Sequence, residues 1–256
     1  MTNRDNGREW LAQLPIAHRG LYDQQSPENS ADAIDRAAEH GYAVELDAQL
    51  SNDNTLVVFH DVGMERMTGH KDKVTKLSSE HIVNYDILGT RHRIATLREV
   101  LSRVDGKVPL LISIKGWSRW RKVTAALSDE LRNYPGLVAV STVSPLTYWE
   151  LRRRDLDAAV GLVTSSMASR GAILRMIASV YRYVLQVPMI LKPDFISIDS
   201  RSASNRFINR MRRKGCSVIV WTVRDKRELD HIRSLGANAM FELSPSLTES
   251  DLQPVF

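Results

Sequence analysis

The chain has 256 residues, of which 43% are hydrophobic and 25% are charged, and its formal net charge is +5. This length suits one closed α/β barrel of about 250 residues, and the composition is ordinary for a globular protein with a large core. Because Cys216 is the only cysteine, an internal disulfide bond is excluded. The apolar run at 216–221 predicts that this thiol is buried.

Targeting and nucleic-acid signals are missing from the sequence. The first fifteen residues lack an apolar stretch of signal-peptide length, and no segment offers eighteen uncharged apolar residues that would span a membrane. The positive charge favours an anionic partner. The basic runs at 152–154 and 210–214 are typical of helix ends, and no nucleic-acid-binding motif accompanies them. We expect a cytoplasmic protein that does not bind nucleic acid.

Short apolar runs rich in β-branched residues alternate with segments of helical period along the whole chain. This alternation predicts βα units around a parallel sheet, and no linker divides them. Strands are expected at 15–18, 43–50, 108–115, 137–143, 158–164, 194–199, 217–223 and 239–243. Helices are expected at 30–40, 97–104, 119–133, 204–214 and 226–235. Eight strands in this order predict one domain, a (β/α)₈ barrel that covers residues 1–256.

One stretch interrupts the alternation between the second strand and the second helix. Residues 55–61 form a further short strand candidate, in a hairpin with the second strand, and 62–95 are polar and irregular. Insertions of this kind lie over one rim of a barrel, where they shape a substrate site. We therefore expect an insertion at about residues 51–95 near the functional site.

Titratable side chains stand where the predicted strands end, which is where barrels carry their catalytic groups. His18 and Arg19 close the first strand, and His60 ends the hairpin strand. Glu45 and Asp47 are two apart on the second strand, so both face the barrel interior. Buried carboxylates without partners are costly, so this pair needs a metal ion or a basic partner.

Several short motifs resemble those of the glycerophosphodiester phosphodiesterase family, a family of (β/α)₈ barrels. The resemblance spans roughly residues 16–245. Four motifs within the first sixty residues occur in the family's order. The matching segments are 17–20 (AHRG), 27–30 (PENS), 45–47 (ELD), 57–61 (VVFHD), Lys115, 221–223 (WTV) and 241–242 (FE).

The resemblance implies hydrolysis of a glycerophosphodiester, or of a lysophospholipid, to an alcohol and sn-glycerol 3-phosphate. His18 and His60 would be the acid–base pair, since imidazole titrates near neutral pH. Arg19 would bind the phosphate as a planar cation, and Lys115 would add a second positive contact. Trp221 would pack against the glycerol or alcohol part of the substrate.

The resemblance also implies a divalent cation, Mg²⁺ or Ca²⁺, bound by Glu45 and Asp47. Glu28 and Asn29 would brace the loop after the first strand, and Asn29 would also cap the next helix. The sequence departs from the family at one point. Ser113 stands on the third barrel strand where the family has a third carboxylate ligand, so we expect weaker metal binding.

This departure leaves three interpretations open. Glu242 or another carboxylate compensates for the missing ligand, the reaction proceeds with a weakened or absent metal, or the barrel binds phosphodiesters or lipids without cleaving them. A cyclising lyase, similar in outline to phospholipase D enzymes of spider venom, is a second enzymatic alternative to hydrolysis.

The segment 170–191 is apolar around most of a helix. The favoured interpretation is a barrel helix covered by neighbouring elements or by a second subunit. The alternative is a helix that lies on the inner membrane surface and brings the site to lipid head groups. The sequence does not predict the oligomeric state.

Overall fold

The computed structural model describes residues 8–115, 119–154, 156–164 and 192–252. The strands are β1 (Ile16–His18), β2 (Ala43–Leu50), β3 (Leu56–Val58), β4 (Leu110–Ile114), β5 (Val138–Thr142), β6 (Ala159–Thr164), β7 (Phe195–Asp199), β8 (Ser217–Val223) and β9 (Asn238–Phe241). The α-helices are α1 (Trp10–Gln13), α2 (Ala31–Glu39), α3 (Glu65–Thr68), α4 (Ser79–Ile82), α5 (Leu97–Val104), α6 (Trp120–Leu131), α7 (Pro145–Arg153), α8 (Asn205–Arg212) and α9 (Lys226–Ser234).

Eight parallel strands of the described chain close into a barrel. β1 pairs in parallel with both β2 and β9, which joins the first and last strands of the sheet. The predicted (β/α)₈ fold is confirmed. β2 and β8 have the predicted bounds, and the other barrel strands differ from prediction by one or two residues at an end. Such small differences are expected where a strand ends in a loop.

The barrel interior is filled by side chains that alternate along the strands, as in a packed core. At its N-terminal end, Trp10 and Leu11 of α1 pack on inward residues such as Ile16, Phe195 and Met240. α1 was not predicted, because four helical residues show no periodicity. The helix end expected at the basic run 152–154 belongs to α7, which Ser144 caps and which has proline in its first turn.

The segment 51–95 builds on the carboxyl end of β2. β3 pairs antiparallel with β2, with Ala48 opposite Val58. The part expected to be irregular contains α3, α4 and a 3₁₀ turn at Val74–Lys76. Its buried side chains form an apolar cluster of their own: Val57, Phe59, Met64, Met67, Val74, Ile82, Ile87 and Ile94. This small core holds the insertion in a fixed shape over the rim where the strands end.

Two further expectations have different outcomes. Cys216 is buried, and burial raises the pKa of its thiol to about 12, so the prediction of a buried thiol is confirmed. The predicted helix at 170–191, with its membrane-surface alternative, lies outside the described residues. Among the described helices, none is both long and apolar enough to cross a membrane.

Gly20 occupies a position where the backbone and the space both require glycine. Its φ is 85°, and a Cβ there would lie 2.6 Å from the carbonyl carbon of Ala33 at the start of α2. Gly41 has a similar φ of 73° but has nothing within 4 Å of its Cβ position.

Gly41→Ala should therefore cost only left-handed strain, about 1–2 kcal/mol of unfolding free energy. Gly20→Ala should cost a further 1–3 kcal/mol, roughly, for overpacking. Urea unfolding of both variants measures the difference, and equal losses would contradict the close packing of Gly20 on α2.

Candidate active site

His18 stands at the end of β1, where barrel closure sets it between the second and last strands. Its Nδ1 lies 2.5 Å from Oε1 of Glu242, which follows β9. Its Nε2 lies 3.9 Å from Oε2 of Glu45 on β2. Because Glu242 is ionised at neutral pH, it accepts a hydrogen bond from Nδ1–H. The Nε2 atom of His18 is thereby directed toward Glu45 and the barrel mouth.

Glu242 is held as an anion by three donors. Burial opposes its charge, but hydrogen bonds from His18 and Tyr22 and the charge of Arg224 lower its pKa to about 2. Arg224 Nε donates to Oε2 at 2.6 Å. Glu242 was one candidate to replace the missing metal ligand, and here both of its oxygens are engaged by His18 and Arg224.

His60 repeats the arrangement of His18 at the base of the insertion. Its Nδ1 donates to Oδ1 of Asp61 at 2.7 Å, and Arg66 Nε donates to Oδ2 of the same carboxylate at 2.5 Å. Burial lowers the pKa of His60, and Arg19 and Lys115 lower it further, against the opposing charge of Asp47. Neutral imidazole is therefore favoured at His60.

The two carboxylates of β2 are buried and differ in their charge state. Burial disfavours the charge of Asp47, yet Lys115, Arg19 and His60 hold its pKa well below the usual range. Lys115 Nζ lies 2.8 Å from Oδ1, and Arg19 Nε lies 3.2 Å from Oδ2. Burial and the neighbouring Asp47 raise the pKa of Glu45. Simultaneous ionisation of both carboxyl groups is therefore disfavoured unless further positive charge lies beside Glu45.

Glu28 and Asn29, which were expected to brace the loop after β1, both contact charged residues of the site. Arg19 Nη1 donates to Oε1 of Glu28 at 2.7 Å. Asn29 Nδ2 donates to Oδ2 of Asp47 at 3.0 Å, and its Oδ1 accepts from the backbone N–H of Asp47 at 3.1 Å. The expected helix cap is wrong, however. Ser30 caps α2 through the N–H of Ala33, since Ser30 has an extended backbone whereas Asn29 is left-handed, with a φ of 59°.

Ser113 and Trp221 both lie on strands of the barrel but in different parts of its wall. Ser113 is buried on β4 directly beside Asp47 in the strand register. Trp221 is half-buried on β8 next to Asp199, and its buried Nε1 has no hydrogen-bond partner within the described ranges. The structure thus brings the acidic pair, Arg19, Lys115 and Ser113 together, while Trp221 lies farther around the barrel, on β8.

The residues present fit a divalent cation held by two carboxylates. In the part of the chain that the structure describes, no three carboxylate, imidazole or thiol groups form a metal cluster. Oδ1 of Asp47 is buried and pairs with Lys115 Nζ at 2.8 Å. Burial and the neighbouring Asp47 raise the pKa of Glu45, so additional positive charge beside this carboxyl group would stabilise its ionised form.

Three polar residues of the site were missed by the sequence analysis: Tyr22, Arg66 and Arg224. Each lies in a loop or a short helix, and each binds a carboxylate that a motif had already singled out. The available signal was indirect, because a buried carboxylate requires a partner but the sequence does not identify it.

The ionised state of Glu242 predicts a pH-dependent contribution to stability. Its folded pKa of about 2 lies below the ordinary value of 4.5, so the contribution is present above pH 4.5 and is lost as pH falls toward 2. Glu242→Gln should lower the free energy of unfolding by about 3 kcal/mol at pH 7, and by only about 1 kcal/mol near pH 3. Urea unfolding across this range measures both values. Glu99→Gln, at an exposed position on α5, is the control, and parallel curves for the two variants would refute the assignment.

Comparison with known proteins identifies the family. The model of the glycerophosphoryl diester phosphodiesterase family matches residues 18–242. Glycerophosphodiester phosphodiesterase 1 of Homo sapiens is 25% identical, over 94% of this chain and 80% of that protein. The glycerophosphodiester phosphodiesterase of Caldanaerobacter subterraneus subsp. tengcongensis is 39% identical, over 37% of this chain and 41% of its own.

A solved structure shares the fold. It is an Oleispira antarctica phosphodiesterase in complex with the product sn-glycerol-3-phosphate, with a TM-score of 0.76 and 20% identity over 92% of this chain and 94% of that one. The predicted family is confirmed: with its barrel, its two carboxylate-held histidines and a family match from His18 to Glu242, this chain belongs to the glycerophosphoryl diester phosphodiesterase family.

Proposed function

We propose that this chain hydrolyses glycerophosphodiesters to an alcohol and sn-glycerol 3-phosphate. One observation carries the proposal: two imidazoles at the mouth of the barrel each have Nδ1 held by a carboxylate, at 2.5 Å for His18 and 2.7 Å for His60. In both, Nε2 remains for proton transfer. Two such groups beside a pair of cations suit a reaction in which one oxygen loses a proton and another gains one.

The environments of the two imidazoles favour different roles. The lowered pKa of His60 favours neutral imidazole, which accepts a proton from the attacking water. His18 then donates a proton from Nε2 to the leaving alkoxide, while Glu242 stabilises the positive charge on the ring. A poor alkoxide leaving group requires this protonation, because it departs slowly as an anion.

Arg19 and Lys115 are the groups that bind the phosphate. Both contact Asp47, so their positions are fixed before substrate binds. The guanidinium of Arg19 presents planar donors to phosphate oxygens, and the ammonium of Lys115 adds a point charge. The indole of Trp221 supplies an apolar face for the glycerol or alcohol part of the substrate.

Glu45 and Asp47 are the residues that would hold a divalent cation, Mg²⁺ or Ca²⁺. When bound, such an ion supplies positive charge to the phosphate and polarises its P–O bond. The protein's own contribution is the orientation of Asp47 by Asn29 and the proximity of Glu45 to His18 Nε2. With Ser113 beside Asp47, the site has two carboxylates, so we propose weak binding of the metal.

The product found with the Oleispira antarctica enzyme supports glycerol 3-phosphate as the retained half of the substrate. The purified protein should be incubated with glycerophosphocholine and with a lysophospholipid, with and without chelator, and followed by ³¹P NMR. Appearance of a phosphomonoester supports hydrolysis. A cyclic phosphodiester indicates the lyase alternative instead, and binding without turnover indicates a binding module.

Substitution of each histidine tests the division of roles. His18→Gln and His60→Gln should each lower kcat on glycerophosphocholine by about 10²–10⁴-fold. Because p-nitrophenolate leaves without protonation, His18→Gln should regain most of its activity on a p-nitrophenyl phosphodiester, whereas His60→Gln should not. Rates on both substrates measure the pattern. The reverse pattern would exchange the two roles, and equal defects on both substrates would remove the assignment.

Restoring a carboxylate at Ser113 tests the proposed metal site. Ser113→Glu should tighten Mg²⁺ or Ca²⁺ binding by about tenfold or more, because a third anionic ligand joins Glu45 and Asp47. Isothermal titration of the purified variant measures the affinity. Ser141→Glu is the matched control, since Ser141 is equally buried, at the same level, but one strand farther from Asp47. A similar gain in both variants would show that the added charge alone is responsible.

A further inference from the structure

Arg66 of α3 connects the insertion to the loop after β1. Its Nη2 donates to Oε1 of Glu28 at 2.7 Å, and its Nη1 donates to Oε2 at 3.2 Å. Its Nε donates to Oδ2 of Asp61 at 2.5 Å. One planar guanidinium therefore binds two carboxylates that belong to different segments, 38 and five residues away along the chain.

Each of these carboxylates also binds a group that acts on the substrate in the proposed reaction. Oε1 of Glu28 also accepts from Arg19 Nη1 at 2.7 Å, and Oδ1 of Asp61 accepts from His60 Nδ1 at 2.7 Å. Positive and negative charges alternate from Arg19 to Asp61 along this series, and the neutral imidazole of His60 ends it. Arg66 therefore links Glu28, which binds Arg19, to Asp61, which binds His60.

Arg66 and His60 bind different oxygens of Asp61, and this arrangement determines the orientation of His60. Because Arg66 occupies Oδ2 of Asp61, the other oxygen is left for the imidazole. The pKa of Asp61 lies below its ordinary value, as burial is outweighed by hydrogen bonds from Arg66 and His60, so Asp61 is an acceptor at neutral pH. His60 is then held with its proton on Nδ1 and with Nε2 turned to the site.

This contact differs from an ordinary surface ion pair. Exposed pairs such as Arg93–Asp86, with side chains 60% and 58% exposed, contribute little to stability. The carboxylates that Arg66 binds are only 13% and 24% exposed. The forked geometry also matches what guanidinium offers and ammonium does not. The observations therefore favour a role in geometry over a role in surface charge.

We propose that Arg66 is a positioning residue: by holding Glu28 and Asp61 together, it fixes His60 relative to Arg19, at which the phosphate binds. The inference rests on the proposed function and extends it to the insertion. It makes the insertion at residues 51–95 a part of the catalytic geometry, since Arg66 lies on α3 of this insertion. Arg66 acts through His60 and does not contact the reacting atoms itself.

The test compares Arg66→Met with Arg103→Met in the full chain. Arg103 joins α5 to Asp35 of α2 through Nε and Nη2, and its side chain is 46% exposed against 49% for Arg66. On glycerophosphocholine, Arg66→Met should lower kcat by about 100-fold, as expected for a displaced catalytic group. Arg103→Met should stay within about twofold of the wild type.

A second comparison separates positioning from simple loss of stability. In a His60→Gln background, Arg66→Met should cost less than about threefold in kcat, because the group that it positions is already gone. An unchanged 100-fold loss in that background would overturn the proposal, as would an Arg66→Met variant that behaves like Arg103→Met. If Arg66→Met does not fold, Arg66→Lys serves in the same comparisons. It keeps the charge but loses the fork, and full activity in that variant would also overturn the proposal.

The tautomer of His60, measured by two-bond ¹⁵N–¹H NMR correlations at pH 8, tests the positioning without any turnover. The wild type and Arg103→Met should show the proton on Nδ1, and Arg66→Met should show averaging between both nitrogens. If the wild type cleaves no phosphodiester but the tautomer changes only in Arg66→Met, the proposed function fails and the positioning of His60 stands. If turnover occurs and the tautomer and kcat are unaffected in Arg66→Met, the positioning role fails alone.

Discussion

The site depends on the burial of two carboxylates, Glu45 and Asp47, two residues apart on one strand. Neither is more than 4% exposed, and water is thus unavailable to stabilise their charges. Cations from neighbouring strand ends compensate for this loss of hydration: Arg19 after β1 and Lys115 after β4. Arg19 and Lys115, the groups proposed to bind the phosphate, are therefore held in place by Asp47, the carboxylate whose charge they neutralise. Removal of Asp47 would therefore take a buried partner from both cations.

The cations stabilise the charge of Asp47 more than that of Glu45, so the two carboxyl groups differ in charge state. Asp47 takes most of the positive charge and stays ionised, while the pKa of Glu45 rises beside it. Glu45 lies nearest to Nε2 of His18. A substitution that introduces a charge at Ser113, directly beside Asp47, would alter the same balance. The serine is thus part of the electrostatics of the site, whether or not a metal is bound.

The sequence predicted the parts of this arrangement that depend on local pattern. Alternation along β2 placed Glu45 and Asp47 on one face, and the position of His18 at a strand end placed it at the mouth. Partners joined by barrel closure or by the insertion were harder to find. Glu242 lies 224 residues from His18, and Arg66 lies 38 residues from Glu28. The motif at 241–242 made Glu242 a candidate metal ligand. Its hydrogen bond with Nδ1 of His18 could not be predicted, because no local pattern indicates it. Arg66 belongs to a four-residue helix without periodicity, and only the folded chain shows what it binds.

The insertion also explains how a loop can meet the demands of acid–base chemistry. A histidine on a mobile segment would hold its proton on either nitrogen and would meet the substrate at varying distances. Here the segment carries its own apolar cluster, which includes Phe59 next to His60 and Met67 next to Arg66. The cluster fixes the backbone on both sides of Asp61, and the guanidinium fixes its side chain. His60 therefore gains from a small satellite core the rigidity that His18 gains from the barrel itself. The two imidazoles reach equivalent geometry by different means, because one belongs to the closed sheet and the other to a segment that must supply its own support.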